Sequence, residues 1–182
     1  VLAGETISDQ AIPTHAPDGN IAIEVKAPGG DEPLPFAAVI CSYIPAGQKG
    51  DFAGGKVLEV SGETDANGVV SLPVLRSDGN EDLTYECGVT SADSSYIAPA
   101  IKEVQPGDDA NFTMFDANAT VTVAVAAPQG ETLDQVQCQA WNDAGTSMVT
   151  ADDTDGDGDV ELAVCRKADK TWNVNCTGEA DG

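Results

Sequence analysis

The sequence predicts an all-β protein made of two tandem sandwiches, the second of which lacks its last strands. The first observation is a repeat: the stretch TDANGVVSLPV at 64–74 returns as TDGDGDVELAV at 154–164, about 90 residues further on. A repeat of this length indicates two copies of one structural unit. The second is composition, because 41% of the residues are hydrophobic but only 5% are aromatic, and the apolar residues form short runs rich in Val, Ile, Ala and Leu. Such runs are typical of β-strands.

The first unit contains seven predicted strands. Its opening strand places Ile21, Ile23 and Val25 at alternate positions, which predicts one buried face and one face turned to solvent. The other strands are expected at 36–43, 56–60, 69–75, 83–90, 97–104 and 110–115. Seven short strands separated by turn residues are typical of a β-sandwich.

The second unit contains only five predicted strands, at 119–126, 135–141, 147–151, 159–165 and 171–178. Two strand-like segments follow residues 85–87 of the first unit, whereas few residues follow the matching segment at 174–176. We therefore expect an N-terminal arm at 1–18, a first sandwich at 19–116 and a second, incomplete sandwich at 117–182. An incomplete sandwich exposes an unpaired strand edge that another segment must cover.

Three motifs of the first unit carry a resemblance to a known fold family. They are IAIEV at 21–25, LPFAAV at 34–39, and TDANG at 64–68 followed by a strand and a Tyr-bearing strand. Together they resemble the Ig-like, prealbumin-like β-sandwich of collagen-adhesin B-type repeats and carboxypeptidase regulatory-like domains. The resemblance implies an extracellular stalk, adhesin or accessory module, and surface filament subunits assembled by donor strands offer a functional analogy.

The charge balance limits the possible partners. Thirty-one acidic residues stand against 8 Lys and Arg, and the net charge of −23 repels nucleic acid and anionic membranes. Such a surface suits a saline or calcium-rich exterior, although a merely solvated acidic coat explains it equally well. The chain begins Val-Leu-Ala-Gly and contains no apolar stretch near the roughly 18 residues of a membrane span. We expect a mature, secreted product at the cell surface.

Four of the five cysteines lie at matched places in the two units. Cys41 corresponds to Cys138, and Cys87 corresponds to Cys176, so we expect Cys41–Cys87 and Cys138–Cys176 disulfides and an oxidising compartment. Cys165 is left over at the place of a leucine in the first unit. It is interpreted as a small buried apolar residue, with exchange into the Cys138 bridge or an intermolecular bond as alternatives.

Two kinds of surface site are suggested by short motifs. Glycosylation sequons begin at Asn111, Asn118 and Asn175, and their density favours a secreted glycoprotein, although sequons also arise by chance. The acidic loop at 153–159 has the D-x-D-x-D-G spacing that lets alternate carboxylates converge on a hard cation, for which calcium is the natural choice. A plain acidic hairpin turn is the alternative. The predicted calcium ligands are Asp153, Asp155, Asp157, Asp159 and Glu161.

The N-terminal arm suggests how the second sandwich is completed. Val1, Leu2, Ile7 and Ile12 provide enough apolar side chains for one strand. We expect the arm of one subunit to pair into the open sandwich of the next, with residues such as Leu2 and Ile7 filling the groove. Such head-to-tail contacts produce a homopolymeric, pilus-like filament. The alternative is an ordinary frayed terminus beside a small, self-sufficient second sandwich.

Little in the sequence favours catalysis. The only histidine, His15, lies in a Pro-flanked segment that offers no rigid frame for a general base, so we do not expect an enzyme. The competing function is a binding module, namely an adhesin or carbohydrate-binding accessory fragment with a glycan or host-surface ligand. Trp172 aligns with a core-like leucine and is expected in the core, whereas Trp141 remains open as a sugar-stacking residue.

Overall fold

The computed structural model describes residues 16–43, 58–77, 82–126, 132–142, 148–153, 158–166 and 171–181. Fourteen β-strands make up the regular structure of these residues, and none of them is helical. The predicted all-β class is therefore confirmed. Within the described ranges, no helix is long and apolar enough to cross a membrane.

Eight strands lie in the first half of the chain. They are β1 (Gly19–Lys26), β2 (Ala38–Tyr43), β3 (Leu58–Glu63), β4 (Val69–Val74), β5 (Tyr85–Thr90), β6 (Tyr96–Ile97), β7 (Lys102–Val104) and β8 (Asp109–Thr113). One sheet has the order β4-β1-β8, and the other has the order β3-β2-β5-β7. Their inner faces share one core, in which Ile23 of the first sheet and Val39 of the second are both fully buried. This arrangement is a two-layer sandwich.

The alternation in β1 produces the predicted buried face. Ile21, Ile23 and Val25 are each 0% exposed. They are covered because β1 is the central strand of its sheet, paired antiparallel to β4 and parallel to β8. The central position explains why every second residue of this strand is aliphatic.

The predicted strand at 97–104 is instead two short strands in different sheets. β6 pairs with β9 (Phe115–Asp116), whereas β7 joins the larger sheet beside β5. Pro99 lies between them and has no backbone N–H to donate to a ladder. The chain therefore changes sheets at this point.

Five strands form the second half of the fold. They are β10 (Ala119–Ala124), β11 (Thr132–Trp141), β12 (Val149–Asp152), β13 (Asp159–Val164) and β14 (Asn173–Asp181). β10 pairs with β13, and β11 lies between β12 and β14. A separate core joins the two sheets, with Val136, Cys138 and Leu162 at its centre. Five strands were predicted here, and all five are present.

The repeated motif forms the same turn in both halves. Gly68 and Gly158 have positive φ angles of 73° and 86°. In each case the glycine carbonyl accepts a 2.8 Å hydrogen bond from a strand N–H, that of Val25 or Val125. A Cβ on Gly68 would lie 2.6 Å from the Val25 carbonyl oxygen, so only glycine fits here.

Both predicted disulfides are present in the structure. Cys41 and Cys87 bridge the directly paired strands β2 and β5, and Cys138 and Cys176 bridge β11 and β14 in the same way. Cys165 is a free, buried thiol that is 6% exposed, which agrees with a small apolar role. Each bridge joins neighbouring strands of one sheet and stabilises that sheet against local opening.

Candidate assembly site: the open edge of the second sandwich

The strand β10 has a partner on only one side within the described part of the chain. β13 pairs with one edge, and no described strand pairs with the other. Its counterpart β1 is paired on both sides, by β4 and by β8. As far as the described residues extend, the second sandwich thus has an open edge where the first has a strand.

The side chains at matching positions of the two strands differ in burial in the same way. Val121, Val123 and Val125 point towards the second core but are only half-buried. In the first sandwich the matching residues are Ile21, Ile23 and Val25, all fully buried. The open edge therefore leaves apolar surface that the first sandwich covers.

The other sheet of the second sandwich also ends early. β14 matches β5, which pairs with β2 on one side and β7 on the other. Among the described residues, β14 pairs with β11 alone. Among the described residues, the first-half strands without a counterpart in the second half are β6, β7 and β8, which are consecutive along the chain.

The strand β8 shows what occupies such an edge. It runs parallel to β1, with Ala110 opposite Ile23 and Phe112 opposite Val25. Ala110, Phe112 and Met114 alternate along it, and all three are buried. A closing strand for this architecture therefore presents apolar side chains at every second position.

Hydrogen bonds identify which groups face the open edge. The Val125 N–H points towards β13, because it donates to the Gly158 carbonyl. In the first sandwich the Ala22 N–H points the other way and donates to the Asp108 carbonyl at 3.4 Å, beside β8. Alternate N–H groups of a strand point in opposite directions. The N–H groups of Thr122 and Ala124 therefore face the open edge.

The sequence-predicted donor residues cannot be placed. Val1, Leu2, Ile7 and Ile12 all precede residue 16, where the description of the structure begins. His15 also lies outside the described residues. Asp18 caps the first sandwich, because its carboxylate accepts the Arg76 N–H at 2.6 Å.

The predicted calcium ligands are placed only in part. Asp155 and Asp157 lie outside the described residues. The Asp153 carboxylate accepts the Gly158 N–H at 2.9 Å, while Asp159 and Glu161 are exposed on β13. Within the described ranges, no group of three or more His, Cys, Asp or Glu residues could hold a metal ion. Calcium at this loop stays a prediction.

The matching turn of the first half shows what its carboxylate does. Asp65 accepts hydrogen bonds from the N–H groups of Val69 at 3.0 Å and Asn67 at 2.9 Å. These backbone bonds, that from Val69 foremost, hold the pKa of Asp65 below its ordinary value. In this turn the aspartate is an amide cap.

The three sequon asparagines have different environments. Asn111 on β8 and Asn175 on β14 are exposed. Asn118 is exposed too, but its side-chain oxygen accepts the Arg166 N–H at 2.6 Å. Glycosylation at these positions stays a prediction.

Two aromatic side chains donate hydrogen bonds to backbone carbonyls at matching positions of the two halves. These hydrogen bonds were not predicted from the sequence. The Tyr85 hydroxyl donates to the Leu75 carbonyl at 3.1 Å. In the second half Cys165 takes the place of Leu75, and its carbonyl accepts the Trp172 indole N–H at 3.1 Å. The only sequence signal was the alignment of Cys165 with Leu75. Trp172 packs against the second core as predicted, whereas Trp141 is 41% exposed.

A small cavity lies where the two halves of the chain meet. Its volume is about 330 Å³, and it is lined by the turn after β1, the end of β8 and residues including Cys165 and Arg166. Three segments that are distant along the chain line this cavity, so no local sequence pattern indicates it.

Comparisons with known proteins give distant structural likenesses only. No model of a protein family matches the chain, and no curated protein is significantly similar to it in sequence. The shaft pilin SpaA of Lactobacillus rhamnosus GG aligns with 72% of this chain and 62% of its own length, at 15% identity and a TM-score of 0.40. The major pilin SpaD of Corynebacterium diphtheriae aligns with 87% of this chain and 55% of its own length, at 17% identity and a TM-score of 0.41. The chain thus spans less than two thirds of the length of each of these two structures.

Proposed function

We propose that this chain is the structural subunit of an extracellular filament, and that a strand from a neighbouring subunit completes its second sandwich. The observation that supports this most strongly is the open edge of β10. Half-buried Val121, Val123 and Val125 lie along it, where the matching residues of the first sandwich are fully buried. The Cys–Cys bridges and the acidic surface fit a location outside the cell.

The energetics favour an added strand. Backbone N–H and C=O groups on an open edge pair readily with another extended segment. Burying the three half-exposed valines adds an apolar contribution of about 25 cal/mol per Å² of surface removed from water. The main-chain hydrogen bonds would supply affinity, and the side chains at alternate positions of the added strand would supply specificity.

The geometry of such a contact leads to a polymer. The proposed strand and the groove belong to different parts of the sequence, residues 1–15 and 117–182, so each subunit offers one of each. A contact between two different surfaces is heterologous and produces a ring or an open filament. The same contact repeated along one direction gives a fibre.

The N-terminal arm is the proposed donor, and strand geometry restricts how it can fit. Side chains of a strand alternate between faces. Leu2 and Ile12 would therefore share one face, and Val1 and Ile7 the other, so Leu2 and Ile7 cannot both fill the groove in one uninterrupted strand. Leu2→Asp and Ile7→Asp should differ in effect, and the more damaging change identifies the inserted face.

The test is electron microscopy of the full chain and of a variant lacking residues 1–15. This deletion keeps Asp18, whose bond to Arg76 belongs to the first sandwich. We expect filaments from the full chain and separate particles from the variant. Filaments from both proteins would contradict the N-terminal donor, and separate particles from both would contradict assembly altogether.

Proline at the open edge provides a matched pair of point variants. Thr122→Pro removes an N–H that faces the open edge and leaves the β10–β13 bonds in place, a position where strands tolerate proline. We expect it to prevent filaments while circular dichroism stays unchanged. Thr122→Ala keeps the N–H and should assemble normally. Assembly of the proline variant would rule out this edge.

Calcium binding by the 153–159 loop is a second part of the proposal, supported by its alternating carboxylates. We expect calcium to raise the melting temperature relative to a chelator, and Asp157→Asn to reduce that shift. Equal melting temperatures with calcium and chelator would contradict it.

A further inference from the structure

The outer face of the sheet formed by β12, β11 and β14 carries an unusual set of side chains. Val136, Cys138 and Ala140 of β11 are buried, so the alternate residues of this strand point outward. We call the outward set the amide face: Gln137, Gln139, Trp141, Thr150, Asn173 and Asn175. All are exposed except Gln139, which is half-buried.

The strand register brings these residues together in rows. Gln139 lies opposite Thr150 on one side and Asn175 on the other. Trp141, two residues further along, lies opposite Asn173. Neighbouring strands are about 4.8 Å apart, and alternate residues of one strand are about 6.6 Å apart. The indole ring and the amides are therefore spaced on the scale of one sugar ring.

The matching row of the first sandwich has a different charge. Ser42 occupies the place of Gln139, and it lies opposite Glu59 and Glu86. The positions of two carboxylates in the first sandwich are thus occupied by a hydroxyl and an amide in the second. In a chain of net charge −23, this row therefore carries two carboxylates fewer than its counterpart in the first sandwich.

A carboxylate also lies beside the amide face, and it accepts a hydrogen bond from one of the amides. Asp152 on β12 lies opposite Gln137, whose side-chain amide donates to the Asp152 carboxylate at 2.9 Å. Amide and hydroxyl groups can both donate and accept hydrogen bonds, which matches the hydroxyls of a sugar. Trp141 at 41% exposure offers an apolar surface for the ring face. A protein partner would need a larger apolar core than one indole provides.

We propose that the amide face binds a neutral oligosaccharide, with a pyranose ring stacked on Trp141 and its hydroxyls bonded to Gln139, Asn173 and Asn175. The ligand is neutral because the surrounding acidic surface repels anionic sugars. This site is independent of the open edge of β10, since it uses the outward face of the other sheet.

The test uses the full chain made in a host that does not glycosylate it, so that no glycan on Asn175 covers the face. The probes are cellohexaose, chitohexaose and mannohexaose, titrated by calorimetry. We expect millimolar or tighter binding of at least one, a loss of roughly tenfold or more for Trp141→Ala, and partial recovery for Trp141→Tyr. Glu86→Gln on the first sandwich is the matched control and should leave the affinity unchanged.

Two results would overturn the proposal. One is equal affinity of the Trp141→Ala variant and the unchanged protein, which would place any binding elsewhere. The other is the absence of binding by all three probes at millimolar concentration. Circular dichroism of each variant establishes that the sandwich is folded, since Trp141 lies on the surface and its removal leaves the core intact.

Discussion

The two sandwiches share a turn motif, a strand order and a disulfide position, yet within the described residues one is closed and the other is open. In the first, β8 pairs with β1 and contributes Phe112 to the core, which is 1% exposed. In the second, Val123 of β10 and Val125 just after this strand are half-buried beside an edge that has no described partner. The comparison shows that the second sandwich keeps its hairpins and its bridge although no described strand lies where β8 closes the first.

The largest expected effect is a difference in the free energy of unfolding between a variant of the first core and a variant of the second. Phe112→Ala should destabilise the first sandwich by about 3–5 kcal/mol, because it empties a fully packed site. Val123→Ala should cost well under half of that in the unassembled protein, since this side chain is only half-buried there. Chemical denaturation of each variant measures both. Equal losses would mean that the second core is as closed as the first.

The next effect concerns the buried Thr64, which is 2% exposed. Its hydroxyl donates to the Leu34 carbonyl at 2.7 Å and accepts the Ala37 N–H at 2.9 Å. Thr64→Val leaves both backbone groups without this partner and should cost about 1–3 kcal/mol for each. Thr90→Val on an exposed position is the control. A Thr64 variant as stable as the control would show that water replaces the hydroxyl.

A smaller effect is expected at Tyr85. Its hydroxyl bonds the Leu75 backbone, and burial raises the pKa of this group above its ordinary value of 10.0. The resulting stability is complete below pH 10 and is lost as the pH rises through the raised pKa. Tyr85→Phe should cost about 0.5–1.5 kcal/mol at neutral pH and should weaken the alkaline loss. Melting curves from neutral to alkaline pH, with Tyr96→Phe as control, measure this; an unchanged alkaline slope would contradict it.

The smallest effect is expected at the exposed turn cap Asp65. Its pKa is lowered by the Val69 and Asn67 N–H groups, so its contribution is present above the ordinary value of 3.8 and is lost as the pH falls through the lowered pKa. Asp65→Asn should lower the melting temperature slightly at neutral pH and reduce the acid dependence. If the variant and the unchanged protein lose stability in parallel on acidification, the cap has no energetic role.

Much of the fold follows from local signals in the sequence. The alternation of Ile21, Ile23 and Val25, together with the matched cysteines, predicts the core strand and both bridges, because each depends on spacing alone. The change of sheet at Pro99 was missed, although proline provides a reason for it. Phe36 was not predictable: it adopts a positive φ of 58° because its N–H bonds the Thr64 carbonyl, and it is 72% exposed. Such a contact depends on the tertiary structure.

The candidate sites were likewise predictable from the sequence only in part. The short second unit indicated an open sandwich, but the direction of its free N–H groups needed the hydrogen bonds of Val125 and Ala22. The amide face required the strand register, since Trp141, Thr150 and Asn175 are distant in sequence. Residues 1–15 and the calcium loop lie in part or wholly outside the described structure, so their roles rest on the sequence.

Amide hydrogen exchange on assembled filaments tests the central claim most directly. We expect the peptide covering β10 to be strongly protected in filaments and to exchange quickly in the variant lacking residues 1–15. The peptide covering β1 should be protected in both samples, because β4 and β8 pair with it within one subunit. Equal protection of β10 in both proteins would contradict the account, because the closing strand would then come from the subunit itself.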